Sequence, residues 1–247
     1  MNTQTIEKMK QLKLHGMVRA FRTSLETGSQ DKLSPDEFIS LLIESEWDER
    51  QNRRLEQSIK NARFRYKSSI EQLSFDMERN LDKNQVMRLA DCDYIKKKEN
   101  ILITGSTGIG KSYLASAFGH HACSVGYKVL YQQSTKLFAR LKIAKADGSY
   151  LKEISKMERV DLIVIDDFGI QPLDSQCRTS FLEIMEDRHE KGSTIITSQL
   201  PVNKWHEAIG EQTIADAIMD RIIHNAHRID MRGDSLRKKK IIEENKN

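Results

Sequence analysis

The spacing of apolar residues changes near residue 100 of this chain. Before that point they recur every three or four positions, as at Ile6, Met9 and Leu12, which predicts amphipathic helices. After it, short continuous apolar runs alternate with stretches of helical spacing, which predicts β-strands separated by α-helices. The strands are expected at residues 101–104, 129–131, 162–165, 194–197 and 227–230. Strands that are apolar throughout are buried on both faces, so we expect an α/β fold with a five-stranded parallel sheet.

The same patterns divide the chain into three parts. We expect a small all-α domain over 1–75, a connector over 76–99 and an α/β domain with a basic C-terminal tail over 100–247. The clearest helix start in the first part lies at Ser34 and Pro35. Ser34 and Glu37 can form a capping box there, and proline has the φ angle of the first helical position.

Composition excludes several classes of protein. Hydrophobic residues make up 38% of the 247 residues, enough for a folded core, and no apolar run approaches the roughly 18 residues of a membrane helix. The N-terminus lacks the apolar segment of a secretion signal. Cys92, Cys123 and Cys177 are far apart and odd in number, so neither a disulfide framework nor a zinc site is expected. We therefore expect a cytoplasmic protein with no membrane partner.

Residues 105–112, GSTGIGKS, fit the phosphate-loop pattern G-x-x-x-x-G-K-[ST]. Its glycines allow a tight turn whose N–H groups face phosphate oxygens, and the helix that follows adds its positive dipole end. A predicted strand before the motif and a predicted helix after it favour this interpretation over a simple glycine-rich turn. We expect Lys111 to reach the β- and γ-phosphates of ATP, and the Ser112 hydroxyl to bind Mg²⁺. The candidate ATP-binding residues are Gly105, Ser106, Thr107, Gly108, Ile109, Gly110, Lys111, Ser112 and Tyr113.

An acidic pair, Asp166 and Asp167, ends the third predicted strand. Burying charged groups there costs several kcal/mol unless a cation or hydrogen bonds compensate. We expect Mg²⁺ to supply that compensation, with Asp166 in its ligand shell and acting through water. Asp167 is the candidate for orienting and polarising the attacking water. An Asp-rich turn without catalytic function is the alternative.

Two further polar segments complete a specific resemblance. Polar residues 197–199 end the fourth strand, and Arg221 lies in a later helix. The segments GSTGIGKS, LIVIDDFG, STIITSQLPVNKW and IMDRII, in this order and spacing, resemble those of the AAA+ ATPases. The closest resemblance is to the IstB-like group, the ATP-binding helper proteins of insertion-sequence transposition. The DnaC-like replicative helicase loaders are near relatives.

The resemblance implies a P-loop AAA+ ATPase whose catalytic residues include Lys111 and Asp167. The polar sensor of the fourth strand falls on Ser198 or Gln199, and the sequence does not decide between them. Arg221 matches the arginine finger, which acts on ATP bound by the neighbouring subunit of an oligomer. The chain ends soon after residue 240, so we expect no full helical lid. Arg237 is then the nearest stand-in for a second, lid-borne sensor.

A basic stripe lies between residues 50 and 67 and contains seven bases and one acid, Glu56. Its bases are Arg50, Arg53, Arg54, Lys60, Arg63, Arg65 and Lys67. Such a stripe can neutralise DNA phosphates, and Phe64 and Tyr66 lie among its last bases. A solvated helix face with two core aromatics is the alternative, as is a solvated tail for a second cluster at 237–240. No base-reading motif is present, so sequence-independent binding is expected.

Together these features predict an ATPase that oligomerises on double-stranded DNA and assists the transposase of the same element. A DnaC-like helicase loader is the alternative with the same chemistry, and the sequence discriminates poorly between the two. A small-molecule phosphotransferase would need an acceptor pocket and an arginine-rich lid, and the sequence indicates neither. An interaction module with a dead site is disfavoured because Lys111, Ser112, Asp166 and Asp167 are all present.

Overall fold

A computed structural model describes residues 2–75 and 79–236, apart from the Gln30 side chain. The chain divides into two compact units, Met1–Gln57 and Ser58–Asn247. The boundary after Gln57 lies earlier than the end of the all-α part expected at residue 75, and the assignment of functions to separate parts stays a prediction. Arg237 and the cluster at 237–240 lie outside the described residues. Within the described part, no helix is both long enough and apolar enough to cross a membrane.

The first unit is helical, as predicted. It contains α1 (Asn2–Gln11), α2 (His15–Thr27), a short 3₁₀ helix (Ser29–Lys32) and most of α3 (Pro35–Ala62). The predicted capping box is present: the backbone N–H of Ser34 donates to Glu37 Oε2 over 2.8 Å, and the Glu37 N–H donates to Ser34 Oγ over 3.3 Å. These contacts fix the start of α3.

Helices α2 and α3 approach each other closely at Gly16. A Cβ atom on Gly16 would lie 2.2 Å from the carbonyl oxygen of Ser45, so only glycine fits. The N–H of Gly16 donates to Glu46 Oε2 over 2.8 Å, and the Met17 N–H donates to the same oxygen over 3.3 Å. The buried Glu46 carboxylate thus satisfies backbone donors in the first turn of α2.

The second unit is an α/β fold built on a five-stranded parallel sheet, which confirms the prediction. The strands are β1 (Asn100–Gly105), β2 (Val129–Gln133), β3 (Leu162–Phe168), β4 (Ser193–Ser198) and β5 (Ala226–Met231). Their order across the sheet is β2-β3-β4-β1-β5, and all four neighbouring pairs are parallel. The central strands are buried on both faces, and Ile101, Leu102 and Ile163 are fully inaccessible. This burial explains their continuous apolar runs.

The helices of the second unit cover the sheet or lead into it. They are α4 (Lys83–Ala90), α5 (Asp93–Lys96), α6 (Lys111–Val125), α7 (Ser134–Asp147), α8 (Tyr150–Glu158), α9 (Ser175–Arg188), α10 (Trp205–Ile209) and α11 (Gln212–Ile223), with a 3₁₀ turn at Val202–Lys204. Strand β4 lies between β1 and β3, and parallel strands end at the same edge. The phosphate loop after β1, the polar end of β4 and the acidic pair of β3 therefore meet at the carboxyl edge of the sheet.

Candidate active site

The phosphate loop has the backbone conformation that its glycines permit. Gly105, Gly108 and Gly110 have φ angles of 142°, 84° and 101°, values that residues with a side chain rarely adopt. A Cβ atom on Gly105 would also lie 2.2 Å from the carbonyl oxygen of Met231. Helix α6 begins directly after the loop at Lys111, so its first-turn N–H groups are available to an anion.

Lys111 is held inside the loop. Its side chain is buried, and Nζ donates to the carbonyl oxygens of Gly105 and Ser106, each over 2.8 Å. Burial lowers the pKa of the Lys111 ammonium, while Asp167 and Asp166 act in the opposite direction. A cation enclosed by backbone carbonyls at the mouth of such a loop is positioned for phosphate oxygens.

A cavity of about 720 Å³ opens over the loop, within the usual size range for small-ligand sites. Among the predicted residues it is lined by Thr107, Gly108, Gly110, Lys111, Ser112, Tyr113, Asp167 and Gln199. Ile109 is buried beneath the loop, and its carbonyl oxygen accepts a 2.9 Å hydrogen bond from Arg79, a further residue of the cavity wall. No local pattern in the sequence points to Arg79, because 30 residues separate it from Ile109.

Asp166 is fully buried, and two hydroxyl groups compensate its charge. The Thr197 hydroxyl donates to its Oδ1 over 2.5 Å, and the Tyr131 hydroxyl donates to its Oδ2. Burial, and then the Asp166 charge, raise the pKa of Tyr131 far above its ordinary value, so this hydroxyl stays a donor. These hydrogen bonds are one of the two kinds of compensation expected for the buried charge, and Mg²⁺ at Asp166 stays a prediction. Both donors lie on strands β2 and β4, the two neighbours of β3, and the sequence alone does not give this strand order.

Asp167 lies at an irregularity in β3. Its φ angle is 61°, and the pairing with β4 shifts register between Ile165 and Phe168. The kink leaves the Asp167 side chain in the cavity wall, while its N–H donates to Thr197 Oγ1 over 3.0 Å. A left-handed conformation at a residue other than glycine is costly and is maintained here by the surrounding hydrogen bonds.

The structure places the Arg65 side chain beside the acidic pair, and its contact with DNA stays a prediction. Its Nη1 lies 2.9 Å from Asp167 Oδ2 and 3.3 Å from Asp166 Oδ2, so its guanidinium is ion-paired with the acidic pair. The stripe pattern predicts contact with DNA phosphates for Arg65, but these carboxylates already engage its charge. The sequence could not reveal the pairing, since it joins residues about a hundred positions apart.

The two sensor candidates differ in their surroundings. The buried Ser198 hydroxyl donates to the Phe168 carbonyl oxygen over 2.7 Å and accepts from the Leu200 N–H over 3.0 Å. Gln199 instead lines the cavity, and its Oε1 accepts a 2.7 Å hydrogen bond from the Thr107 hydroxyl of the phosphate loop. Of the two candidates, Gln199 is the one that lies in the cavity wall.

Arg221 lies at the opposite edge of the sheet. Arg221 precedes β5 in the chain, and the first residue of β5 pairs with Asn100 at the start of β1. The phosphate loop begins at Gly105, at the other end of β1. A strand of this length spans about 16 Å. The Nη2 atom of Arg221 lies 2.9 Å from Glu186 Oε1, and its Nη1 donates to the Ala217 carbonyl oxygen over 2.7 Å. The structure thus does not bring Arg221 together with the phosphate loop of its own chain.

The remaining bases of the stripe are exposed. Arg50 is ion-paired with Glu46 over 2.7 Å, and Arg53 with Glu49 over 3.3 Å, both at i,i+4 spacing on α3. The Arg53–Glu49 pair is largely exposed, and such pairs contribute only about 0–1 kcal/mol, whereas the Glu46 partner of Arg50 is buried. The exposed set is completed by Arg54, Lys60, Arg63 and Lys67.

Comparison with known sequences identifies the family. The family described as IstB-like ATP binding protein matches residues 7–244. The chain belongs to this family. A protein of Sinorhizobium fredii named as a putative insertion sequence ATP-binding protein is 44% identical over 234 residues, covering 95% of this chain and 96% of that protein. The phosphate-loop motif therefore lies in a member of a family described as ATP-binding.

Solved structures agree on the fold. The crystal structure of DnaI matches with a TM-score of 0.59 at 21% identity, covering 71% of this chain and 93% of that one. The crystal structure of the DnaC helicase loader matches with a TM-score of 0.55 at 16% identity, covering 67% of this chain and 96% of that one. The IstB-like chain therefore shares its fold with these two proteins.

Proposed function

We propose that this IstB-like protein is an ATPase that uses ATP to assemble on double-stranded DNA and so assists the transposase of its insertion sequence in the cytoplasm. The observation that carries the proposal is the position of Arg221. An arginine at the edge of the sheet opposite its own phosphate loop is suited to the nucleotide of a neighbouring copy. ATP then lies between subunits and favours a homo-oligomer.

The side chains at the carboxyl edge fit ATP and Mg²⁺. Lys111 would hold the β- and γ-phosphates, the Ser112 hydroxyl would bind Mg²⁺, and Asp166 would act on the ion through water. Within residues 2–75 and 79–236, no cluster of three or more His, Cys, Asp or Glu forms a metal site. That finding is compatible with Mg²⁺, which is commonly held by one or two protein oxygens together with phosphates. Bound there, the ion would neutralise charge on the phosphates.

Asp167 and Gln199 are the candidates for acting on the attacking water and the γ-phosphate. Asp167 lines the cavity together with Lys111, and its backbone N–H donates to Thr197 Oγ1. Its carboxylate is placed to orient and polarise water. Gln199 contacts Thr107, so a change in the loop when nucleotide binds is transmitted to the end of β4.

The exposed bases of the stripe support contact with the phosphates of duplex DNA. Lys60, Arg63 and Lys67 follow one another closely at the end of α3 and just beyond it. Contacts to phosphates carry no base information, so the binding is expected to be independent of sequence. Hydrolysis of ATP would remove the contact between Arg221 and the γ-phosphate, which loosens the assembly.

Assembly on DNA tests this function directly. The protein is mixed with random-sequence duplex DNA and with ATP, a non-hydrolysable ATP analogue or ADP, and its oligomers are measured by sedimentation and electron microscopy. We expect large DNA-bound oligomers with ATP and the analogue and few with ADP. Equal assembly in all three nucleotides would contradict the proposal. Isolation of the bound partner then separates a transposase helper from a helicase loader.

A further inference from the structure

Arg65 contacts the acidic pair, Asp166 and Asp167, from a chain segment that packs against helix α6. Phe64 stacks on His120 of α6 with ring centroids 4.2 Å apart, and it packs against Gly119 of the same helix. A Cβ atom on Gly119 would lie 2.4 Å from the Phe64 ring, so a larger residue would displace it. His120 Nε2 also contacts the Tyr66 carbonyl oxygen at 3.1 Å. The segment around Arg65 is therefore attached to the helix that begins at the phosphate loop.

The Arg65 side chain itself is only partly enclosed. Its exposed fraction is 38%, against 0% for Asp166 and 16% for Asp167. The guanidinium also lies over the Tyr66 ring, 5.4 Å from its centroid, and both residues line the cavity above the loop. An arginine with this exposure can leave the carboxylates for solvent or for another anion without unpacking the segment.

We propose that Arg65 is an exchangeable counter-ion of the acidic pair, released by Mg²⁺-nucleotide and by DNA. The inference rests on the proposed function. A guanidinium on Asp166 competes with a divalent cation for the same oxygens, since two cations at one carboxylate pair repel each other. A guanidinium 2.9 Å from Asp167 Oδ2 also occupies an oxygen that would otherwise accept a hydrogen bond from the attacking water. Arg65 in place thus disfavours hydrolysis, and Arg65 removed favours it.

DNA bound by the neighbouring bases would lie close to the ion pair between Arg65 and the acidic pair. Arg63 and Lys67 are exposed on either side of Arg65 in the sequence, within the same unit as the acidic pair. A duplex bound by these bases brings phosphates close to the Arg65 guanidinium and offers it a competing anion. Coupling is reciprocal, so DNA that draws Arg65 away must strengthen Mg²⁺-nucleotide binding by the same factor as the nucleotide strengthens DNA binding.

The test compares Arg65→Gln with Arg65→Lys, and with Arg159→Gln as a matched control that removes an exposed charge at the end of α8. The first measurement is the Mg²⁺ concentration that gives half-maximal binding of a fluorescent non-hydrolysable ATP analogue. We expect Arg65→Gln to need about two- to fivefold less Mg²⁺, the range for removing a partly exposed ion pair. Arg65→Lys should stay near the parent, and Arg159→Gln should match it.

The second measurement is ATP hydrolysis with and without duplex DNA. We expect Arg65→Gln to hydrolyse ATP faster than the parent without DNA and to respond less to added DNA. An unchanged Mg²⁺ requirement in Arg65→Gln, or slower hydrolysis without DNA, would overturn the proposal, the latter by indicating that Arg65 acts on the phosphates. If DNA does not alter hydrolysis by the parent, the DNA route is wrong and the proposed function is weakened. The Mg²⁺ measurement then still decides whether Arg65 competes with the ion.

Discussion

The Thr107 hydroxyl donates a 2.7 Å hydrogen bond to Oε1 of Gln199, so the phosphate loop and the end of β4 are in direct contact. The neighbouring Ser198 differs, since its hydroxyl is used within the buried end of the strand. One of two adjacent polar residues therefore faces the nucleotide cavity and the other supports the fold.

This difference separates the two sensor candidates by experiment. We expect Gln199→Ala to slow ATP hydrolysis while leaving the free energy of unfolding near that of the parent. Ser198→Ala should instead lower the free energy of unfolding by about 1–3 kcal/mol, because the N–H of Leu200 and the carbonyl of Phe168 lose their partner. Steady-state hydrolysis and urea unfolding of both variants check this. The reverse pattern would assign the sensor to Ser198.

Replacing Lys111 should affect ATP binding, whereas replacing Asp167 should affect ATP hydrolysis. Lys111→Ala should lose tight ATP binding, because the loop loses its side-chain cation. Asp167→Asn should bind ATP normally and hydrolyse it about 10²-fold or more slowly, as expected when a general base is removed. Equilibrium binding of ATP and single-turnover hydrolysis distinguish the two, with Lys152→Ala as an exposed-lysine control. An Asp167→Asn protein that hydrolyses ATP at the parent rate would exclude Asp167 as the polarising residue.

The contribution of the exposed bases to DNA binding is tested by measuring how affinity depends on salt concentration. Replacing Arg54, Arg63 and Lys67 with Ala should weaken binding to all duplex sequences alike. The slope of log affinity against log salt concentration should fall by about 0.9 for each phosphate that the protein no longer neutralises. A control that replaces three exposed bases outside the stripe should leave the slope unchanged; these are Lys136, Lys152 and Arg159. If both triple variants behave alike, the stripe is a solvated face and the DNA-binding surface lies elsewhere.

The first unit offers a stability prediction at Gly16. A Cβ atom there would meet the backbone carbonyl of Ser45, which cannot move as a flexible side chain would. We expect Gly16→Ala to lower the free energy of unfolding by about 1–3 kcal/mol, the usual cost of overpacking. Urea unfolding followed by circular dichroism measures the change. A variant as stable as the parent would show that α2 and α3 separate at little cost.

The sequence predicts this sheet well because its strands other than β5 are recognisable local signals, whereas β5 has the mixed sequence AHRIDM. Continuous apolar runs mark the buried strands, and the glycines and Lys111 of the phosphate loop lie within eight consecutive residues. The strand order that brings β4 between β1 and β3 is then enough to place the acidic pair at the same edge as the loop.

Sequence patterns do not predict contacts between residues that are far apart in the chain. Tyr131 and Thr197 compensate Asp166 from two neighbouring strands, and no spacing in the chain indicates that arrangement. The sequence groups Arg65 with the basic stripe because its neighbours are bases, whereas the packing of Phe64 on α6 turns Arg65 toward the acidic pair. Local charge patterns reveal where bases cluster, while tertiary packing decides which of them face solvent.

The central claim is that Arg221 acts on the nucleotide of a neighbouring copy, and a mixture of two inactive variants tests it most directly. Arg221→Ala keeps its own phosphate loop, and Lys111→Ala keeps its own Arg221. Loss of an arginine finger lowers hydrolysis by about 10³–10⁵-fold where such fingers have been tested, so each variant alone should be nearly inactive. We predict that mixing them on duplex DNA restores part of the ATP hydrolysis, because one subunit supplies the loop and the other the arginine. A mixture that forms mixed oligomers yet stays as inactive as its components would contradict the account.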